Sequence, residues 1–362
     1  LKTTATITFF LFLSVLFSRY GWSQTAPKYS NEFLNIGVGA RSFGMSHSTV
    51  ASVRGVTATY WNPAALTQLK YPVNLGLMHS EYFAGLSQYD YGTVALKPDE
   101  KSSLAISFIR FGVDNIPNTL ELIDGDGNIR FDRIKSFSVA DYAVWFSYAR
   151  KLPLQGLSIG GNAKIIRRMG GDFARAWGFG IDLAAHYQWE KWQFGVMARD
   201  ITTTVNSWTY YTDELSEVFE LTGNMIPESS TEVTLPKLIM GASHDFRLTE
   251  KFGVLAEVNL DLTTDGKRNV LLKGDPFSID PHAGLEFHYQ QLIFLRAGVG
   301  NIQKEVEGGS HLTLQPNMGL GIAYKRVTVD YALTDLGNIS AAGYSHVFSL
   351  TFSLEPKPVK PN

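Results

Sequence analysis

The run Val327-Thr328-Val329-Asp330-Tyr331-Ala332-Leu333-Thr334 decides the fold. Its large apolar side chains alternate with small or polar ones, and a period of two puts the two sets on opposite faces of an extended strand. Phe348, Leu350, Phe352 and Leu354 alternate in the same way with Val347, Ser349, Thr351 and Ser353, as do Leu104, Ile106 and Phe108 with Ser103, Ala105 and Ser107. Working outward from these runs places strands near 73–80, 88–97, 102–112, 139–150, 156–168, 174–189, 191–200, 236–247, 251–262, 279–289, 291–300, 315–325, 327–336 and 345–354, about fourteen in all. The connections at 97–102, 150–156, 189–191, 247–251, 289–291 and 325–327 are short. Those between them read as longer, in strict alternation, which is the spacing of an antiparallel meander with its tight turns on one side of a membrane.

The polar face of the strands says where such a sheet sits. It carries glycines, among them Gly178, Gly180, Gly319 and Gly321, and single charges such as Asp182, Arg199, Glu257, Asp261 and Glu286. A soluble sandwich or propeller is the competing reading, but the strands lack a propeller's repeat period. Closing the sheet turns the polar positions into a lumen and the apolar ones toward lipid, and leaves no edge strand unpaired in hydrocarbon. The fold class is therefore all-β, a transmembrane antiparallel barrel over 73–354. Aromatics at strand ends, Tyr89, Tyr91, Trp189, Trp192, Tyr289, Tyr324 and Tyr344, read as two interfacial girdles.

Composition agrees with that class and excludes others. The 362 residues are 44% hydrophobic and 13% aromatic but only 18% charged, so neither a disordered chain nor a helical membrane protein fits. With 32 basic and 34 acidic residues intermixed, no basic block exists to neutralise phosphates, and nucleic acid is not a partner. The absence of cysteine removes disulfides, thiolate catalysis and cysteine metal sites. Residues 1–23, with Lys2 before an apolar run from Ile7 to Phe17 and small residues Gly21 and Ser23, read as a secretory signal peptide cleaved before Gln24. Residues 355–362 read as a proline-rich periplasmic tail.

Residues 24–72 do not alternate. They are rich in glycine, alanine and small polar residues, are too few for a strong core of their own, and read as a plug folded into the lumen. Two of their motifs, Gly39-Ala40-Arg41 with Gly44-Met45 and Tyr60-Trp61-Asn62-Pro63-Ala64, resemble the amino-terminal hatch of the PorV/PorQ family, a Bacteroidota branch of the FadL-like outer-membrane proteins. The resemblance implies a hatch-plugged barrel in outer-membrane lipid. For PorV it further implies a protein-binding subunit or substrate carrier of the type IX secretion system, whose partners are a larger translocon and secreted proteins with carboxy-terminal sorting domains. The alternative is a FadL-like channel for hydrophobic small molecules such as fatty acids. That reading requires a lateral opening at a strand kink, for which Pro281, Gly160-Gly161 and Gly170-Gly171 are the candidates.

Three sets of residues are candidate sites. By strand phase Lys164, Asp182, His186, Glu257, Asp261, His282, Glu286, His288, Arg296 and Asp330 point into the lumen, where ion pairing with hatch Arg41 or Arg54 is the natural structural role. In the long loop read at 201–235, Thr212 caps a short amphipathic segment with Asp213, Leu215, Val218 and Phe219, a lid that meets a protein partner or packs on the rim. Asp124, Asp126 and Asn128 offer alternate oxygens to Ca2+, but Ile129 and Lys135 stand where an EF-hand has glycine and glutamate, and a plain Asp-Gly turn is the better reading. No other cofactor is expected. The Ser-His neighbours His79-Ser80, Ser243-His244 and Ser345-His346 make poor catalytic pairs, because adjacent strand residues face opposite ways, so the chain reads as a non-enzyme.

Overall fold

The structure, a computed structural model, describes residues 30–124, 126–211, 230–305, 311–334 and 345–355. Residues 1–29, with the segment read as a signal peptide, the loop segment containing Asp213, Leu215, Val218 and Phe219, Tyr344 and residues 356–362 lie outside the described residues.

Alternation produces strands β1 (Val73–Tyr82), β2 (Ser87–Leu96), β3 (Ser102–Asn118), β4 (Lys135–Lys151), β5 (Leu157–Gly170), β6 (Ala174–Trp189), β7 (Trp192–Arg199) and β8 (Thr204–Tyr210). They continue as β9 (Thr231–Thr234), β10 (Lys237–Arg247), β11 (Phe252–Thr263), β12 (Ser278–Tyr289), β13 (Ile293–Glu305), β14 (His311–Tyr324), β15 (Val327–Thr334) and β16 (Ser345–Leu354). Neighbours pair antiparallel, and β16 pairs with β1 from Val73↔Leu354 to Glu81↔His346, which closes the barrel. The sixteen segments make fourteen walls, since β7 and β8 both lie along β6 while β10 and β9 lie along β7 and β8.

Two expectations are corrected here. The loop read at 201–235 is partly wall: Thr204–Tyr210 and Thr231–Thr234 are strands, beyond a break at Asp200–Thr203 where Asp200 and Thr203 adopt φ of 56° and 60°. The alternation of short and long connections is not strict either. At the long-loop end β1 joins β2 through Phe83–Leu86, with Phe83, Ala84 and Gly85 all at positive φ, and β5 joins β6 through 171–173.

The outside is apolar, with Leu77, Ile106, Phe179, Leu295, Leu320 and Phe348 all exposed. Trp189, Trp192 and Tyr324 point out near the short-turn end, at 57%, 41% and 66% exposure, as girdle residues do. Tyr89 and Tyr91 do not belong to the girdle. Opposite Ser80 and Met78 in register, they face inward and are buried in an aromatic cluster with Tyr60, Tyr82 and Trp145.

Residues 30–72 fill the lumen. Their helical turns, Glu32–Asn35, Ala40–Gly44, Gly55–Thr57, Ala58–Trp61 and Pro63–Gln68, are too short to stand alone and depend on the wall around them. Wall glycines make the fit. A Cβ at Gly160 would lie 2.5 Å from Ala64 N, at Gly195 2.2 Å from Val50 O, at Gly284 2.7 Å from Met45, and at Gly298 2.3 Å from Met45 C. Gly298→Val is accordingly expected to unseat the hatch while leaving the barrel closed. The check pairs two measurements: retained heat-dependent mobility on electrophoresis, and raised conductance in planar bilayers relative to the parent.

Candidate functional site

The hatch motifs mark where the plug meets the wall. Gly39, at φ 85°, donates its amide to Met78 Sδ at 2.9 Å, and the amide of Ala40 donates to Ser349 Oγ at 2.7 Å. Gly44 lies against Gly319, where a Cβ would come within 2.9 Å of backbone, and Met45 packs on Gly284 and Gly298. Trp61 Nε1 donates to Val38 O at 2.8 Å and ties the two motifs together. Asn62 donates to Val50 O at 2.9 Å and to wall Ala185 O at 3.1 Å, and its Oδ1 accepts from Ala64 N, so Pro63 can open the next turn where no N–H is needed.

Four groups of lumen charges hold this plug. Glu286 accepts from Arg41 Nε at 2.7 Å and Arg296 Nε at 2.8 Å, and Arg296 Nη1 reaches Asp330 Oδ1 at 2.7 Å. Glu257 caps bare hatch backbone, taking the amides of Ala51 and Ser52 at 2.8 and 3.0 Å. His282 joins Ser48 Oγ at 3.1 Å to Asp261 at 3.0 Å, and Asp261 also pairs with Lys237. His186 meets Ala51 O at 2.9 Å and Gln68 at 3.1 Å.

Lys164 and Asp182 do something else. They pair with each other at 2.9 Å, and Lys164 also pairs with Asp200, so this group secures the strand break instead of binding a hatch arginine. Gly180 leaves room for it, since a Cβ there would sit 2.7 Å from Lys164 Cε. Arg54, the other hatch arginine read as an ion-pair partner, is exposed and donates instead to the amide oxygen of Gln291 in the β12–β13 turn at 3.1 Å. His288 lies at that same end, 3.3 Å from Asp245.

Asp200, Lys237 and Ser349 are contributors that strand phase alone did not single out. Asp200 reaches the lumen only because the chain leaves the ladder there, and Ser349 matters for a hydrogen bond that any small polar residue on the inner face suggests equally. In the loop after β3, Asp124 accepts the amides of Asp126 and Asn128 at 3.1 and 2.9 Å, a turn geometry that holds its carboxyl below the usual range chiefly through the Asn128 amide. Among the described residues no three His, Asp or Glu side chains gather as a metal site. In the Ser-His neighbours Ser80, Ser243 and Ser345 are buried inside while His79 and His346 are on the outer face, His346 bonded to Tyr331.

The closed barrel recurs in solved structures. The chain superposes on the CymD monoaromatic hydrocarbon channel with a TM-score of 0.55 at 18% identity, covering 89% of this chain and 98% of that one. The fold is FadL-like. The toluene transporter TbuX of Ralstonia pickettii gives a TM-score of 0.54 at 13% identity, with 88% of this chain and 99% of that one covered. A FadL homologue of Pseudomonas aeruginosa gives 0.51 at 11% identity, covering 87% and 97%. No protein-family model and no curated protein sequence matches the chain.

In this FadL-like barrel the plug is therefore held by one buried ion pair, Arg41–Glu286, and by hydrogen bonds from buried wall side chains, and removing one partner alone is costly. Glu286→Gln leaves Arg41 without its carboxylate and Arg296 with Asp330 alone, at a cost of about 3–5 kcal/mol. The hatch should then become cleavable by protease at lower urea than in the parent, whereas the double variant Glu286→Gln/Arg41→Gln should recover part of that loss.

Proposed function

We propose that the protein is a non-enzymatic outer-membrane barrel that passes hydrophobic small molecules through its wall past the hatch. The observation that carries this reading is the seam between β12 and β13. Their ladder runs from Tyr289↔Ile293 to Ala283↔Val299 and stops, although β12 continues back to Ser278 and β13 on to Glu305. Pro281 stands just beyond the last pair with no N–H to give. Ala283 is six residues from Tyr289 along β12, which at the usual rise and tilt is about 15 Å up a band roughly 25 Å tall.

A seam that parts inside hydrocarbon leaves backbone groups that must be satisfied in some other way. Here a loop residue stands in for β13: Leu272 and Ile279 exchange hydrogen bonds, N to O, at 3.3 and 2.9 Å. Behind the seam lies the hatch turn at Met45–Ser48, with Met45 against Gly298, Ser46 bonded by Asn317 at 2.7 Å and Ser48 on His282. The opening is thus covered by the Leu272–Ile279 bridge and an Asn269–Gln303 side-chain bond, and backed by the plug. Two structural neighbours, a monoaromatic hydrocarbon channel and a toluene transporter, carry the same class of cargo.

A second reading draws on the PorV/PorQ-like hatch motifs: a carrier in type IX secretion or a related complex, binding a translocon and secreted proteins with sorting domains. One pair of substitutions separates the two readings, because the chain has no cysteine of its own. In Leu272→Cys/Ile279→Cys, oxidation should lower uptake of toluene or a fatty acid into proteoliposomes several-fold, and reductant should restore it. Equal uptake in the locked and reduced states would remove the lateral path. Absence of uptake, with recovery of a translocon on gentle purification from native membranes, would favour the carrier.

A further inference from the structure

At the short-turn end, between the β6–β7, β10–β11 and β12–β13 turns, lies an open cavity of about 580 Å3 lined by Lys191, Asp245, Arg247, Lys251, Phe252 and His288. Hatch Arg54 reaches the same place through Gln291, which also lines it. Among the described residues Arg54, Lys191, Arg247 and Lys251 form no ion pair. In the lumen Arg41, Lys164, Lys237 and Arg296 are each paired, and Arg199 is buried on Tyr60. Two carboxylates, Asp245 and Glu250, line the cavity beside Lys191, Arg247 and Lys251, with Arg54 behind Gln291, and Asp245 is already engaged by His288. Positive charge is therefore in excess around a space far larger than a water molecule.

The cavity is also held in shape. Gln290 and Gln291, in the three-residue connection between Tyr289 and Ile293, sit at φ of 50° and 56°, where a tight turn ordinarily has Asn or Gly. Gln291 uses its amide to bridge the hatch and the wall, accepting from Arg54 and lying 3.0 Å from the His288 ring. That ring rests over Gly253, where a Cβ would lie 2.4 Å from it. On the outer side of the same rim, half-exposed Phe252 packs on Tyr289 with ring centroids 4.9 Å apart, the placement of an aromatic at the head-group level.

We propose that this cavity binds a phosphate group, with Arg54, Arg247 and Lys251 as its ligands, Lys191 at the rim and Gln291 as a positioning residue. Guanidinium forks match phosphate oxygens in pairs, and a phosphate, whether the monoanionic diester of a lipid or free phosphate, answers the surplus of cations. The phosphate has two sources, a phospholipid head group beside Phe252 or a soluble phosphate from the aqueous side. This proposal stands apart from the lateral path, since it concerns the opposite half of the barrel.

The test uses the whole protein in detergent, titrated by calorimetry with inorganic phosphate and with dihexanoyl phosphatidylglycerol. The parent is expected to bind at least one probe, and Arg247→Gln/Lys251→Gln to weaken that binding about tenfold or more, as the loss of charge-assisted hydrogen bonds implies. Unchanged heat-dependent mobility would show that the variant barrel is intact. Binding of both probes supports a phosphate site open to either source, and binding of phosphatidylglycerol alone supports the lipid source. Binding of neither probe by the parent, or equal binding by an intact variant, overturns the proposal. Arg54→Gln alone should weaken binding less, because the two wall cations remain.

Discussion

Irregular backbone at membrane depth must find partners inside the protein, and the rest of this structure follows from that demand. The wall meets it by closing β16 onto β1. The hatch cannot, because its turns are too short to satisfy their own amides and carbonyls. Wall side chains do so instead: Glu257 takes two consecutive amides, Ser349 takes that of Ala40, Asn162 donates to Thr59 O, Ser103 to Leu66 O and Arg199 to Tyr60 O. Buried polarity in the lumen is thus the complement of a plug with little regular structure.

The same demand distinguishes the two interruptions of the wall. At Asp200–Thr203 the ladder is replaced by a dense set of side-chain bonds: Asp182 accepts the Asp200 amide at 2.9 Å and Lys164 pairs with both aspartates. Breaking it requires separating buried charges. Above Ala283 the seam between β12 and β13 is covered by the Leu272–Ile279 bridge and by a side-chain bond between Asn269 and Gln303. Two interruptions of similar length therefore differ in the work needed to open them, and the weaker one faces the hatch turn at Met45–Ser48.

Strand phase made the inner charges legible from sequence, because a period of two leaves only one choice of face once the apolar set is assigned to lipid. Glu257, Glu286, Arg296 and Asp330 point inward for that reason. Sequence reading failed at Tyr89 and Tyr91, assigned to the girdle for their place near a strand end, although phase groups them with Thr93 and Ala95, opposite Val94 and Leu96, on the face that the register with β1 sends to the core. It failed again at 201–235, where Pro236 and a four-residue excursion hid two strands that pair across the break. Arg54 was legible as a hatch cation but not as the neighbour of Gln291, since nothing local relates two residues so far apart in the chain.

Alternation, aromatic excess and the lack of any long apolar run determined on their own that this is a closed antiparallel barrel, since each strand contains within itself the period that divides lipid from lumen. The small-residue segment before Val73 equally declared itself too short for a separate core. What only the tertiary structure decided is which hatch group meets which wall group, where the ladder ends, and which cations are left without an anion. Those are relations across the lumen and between turns, set by register and shear around the whole ring, and no stretch of sequence contains them.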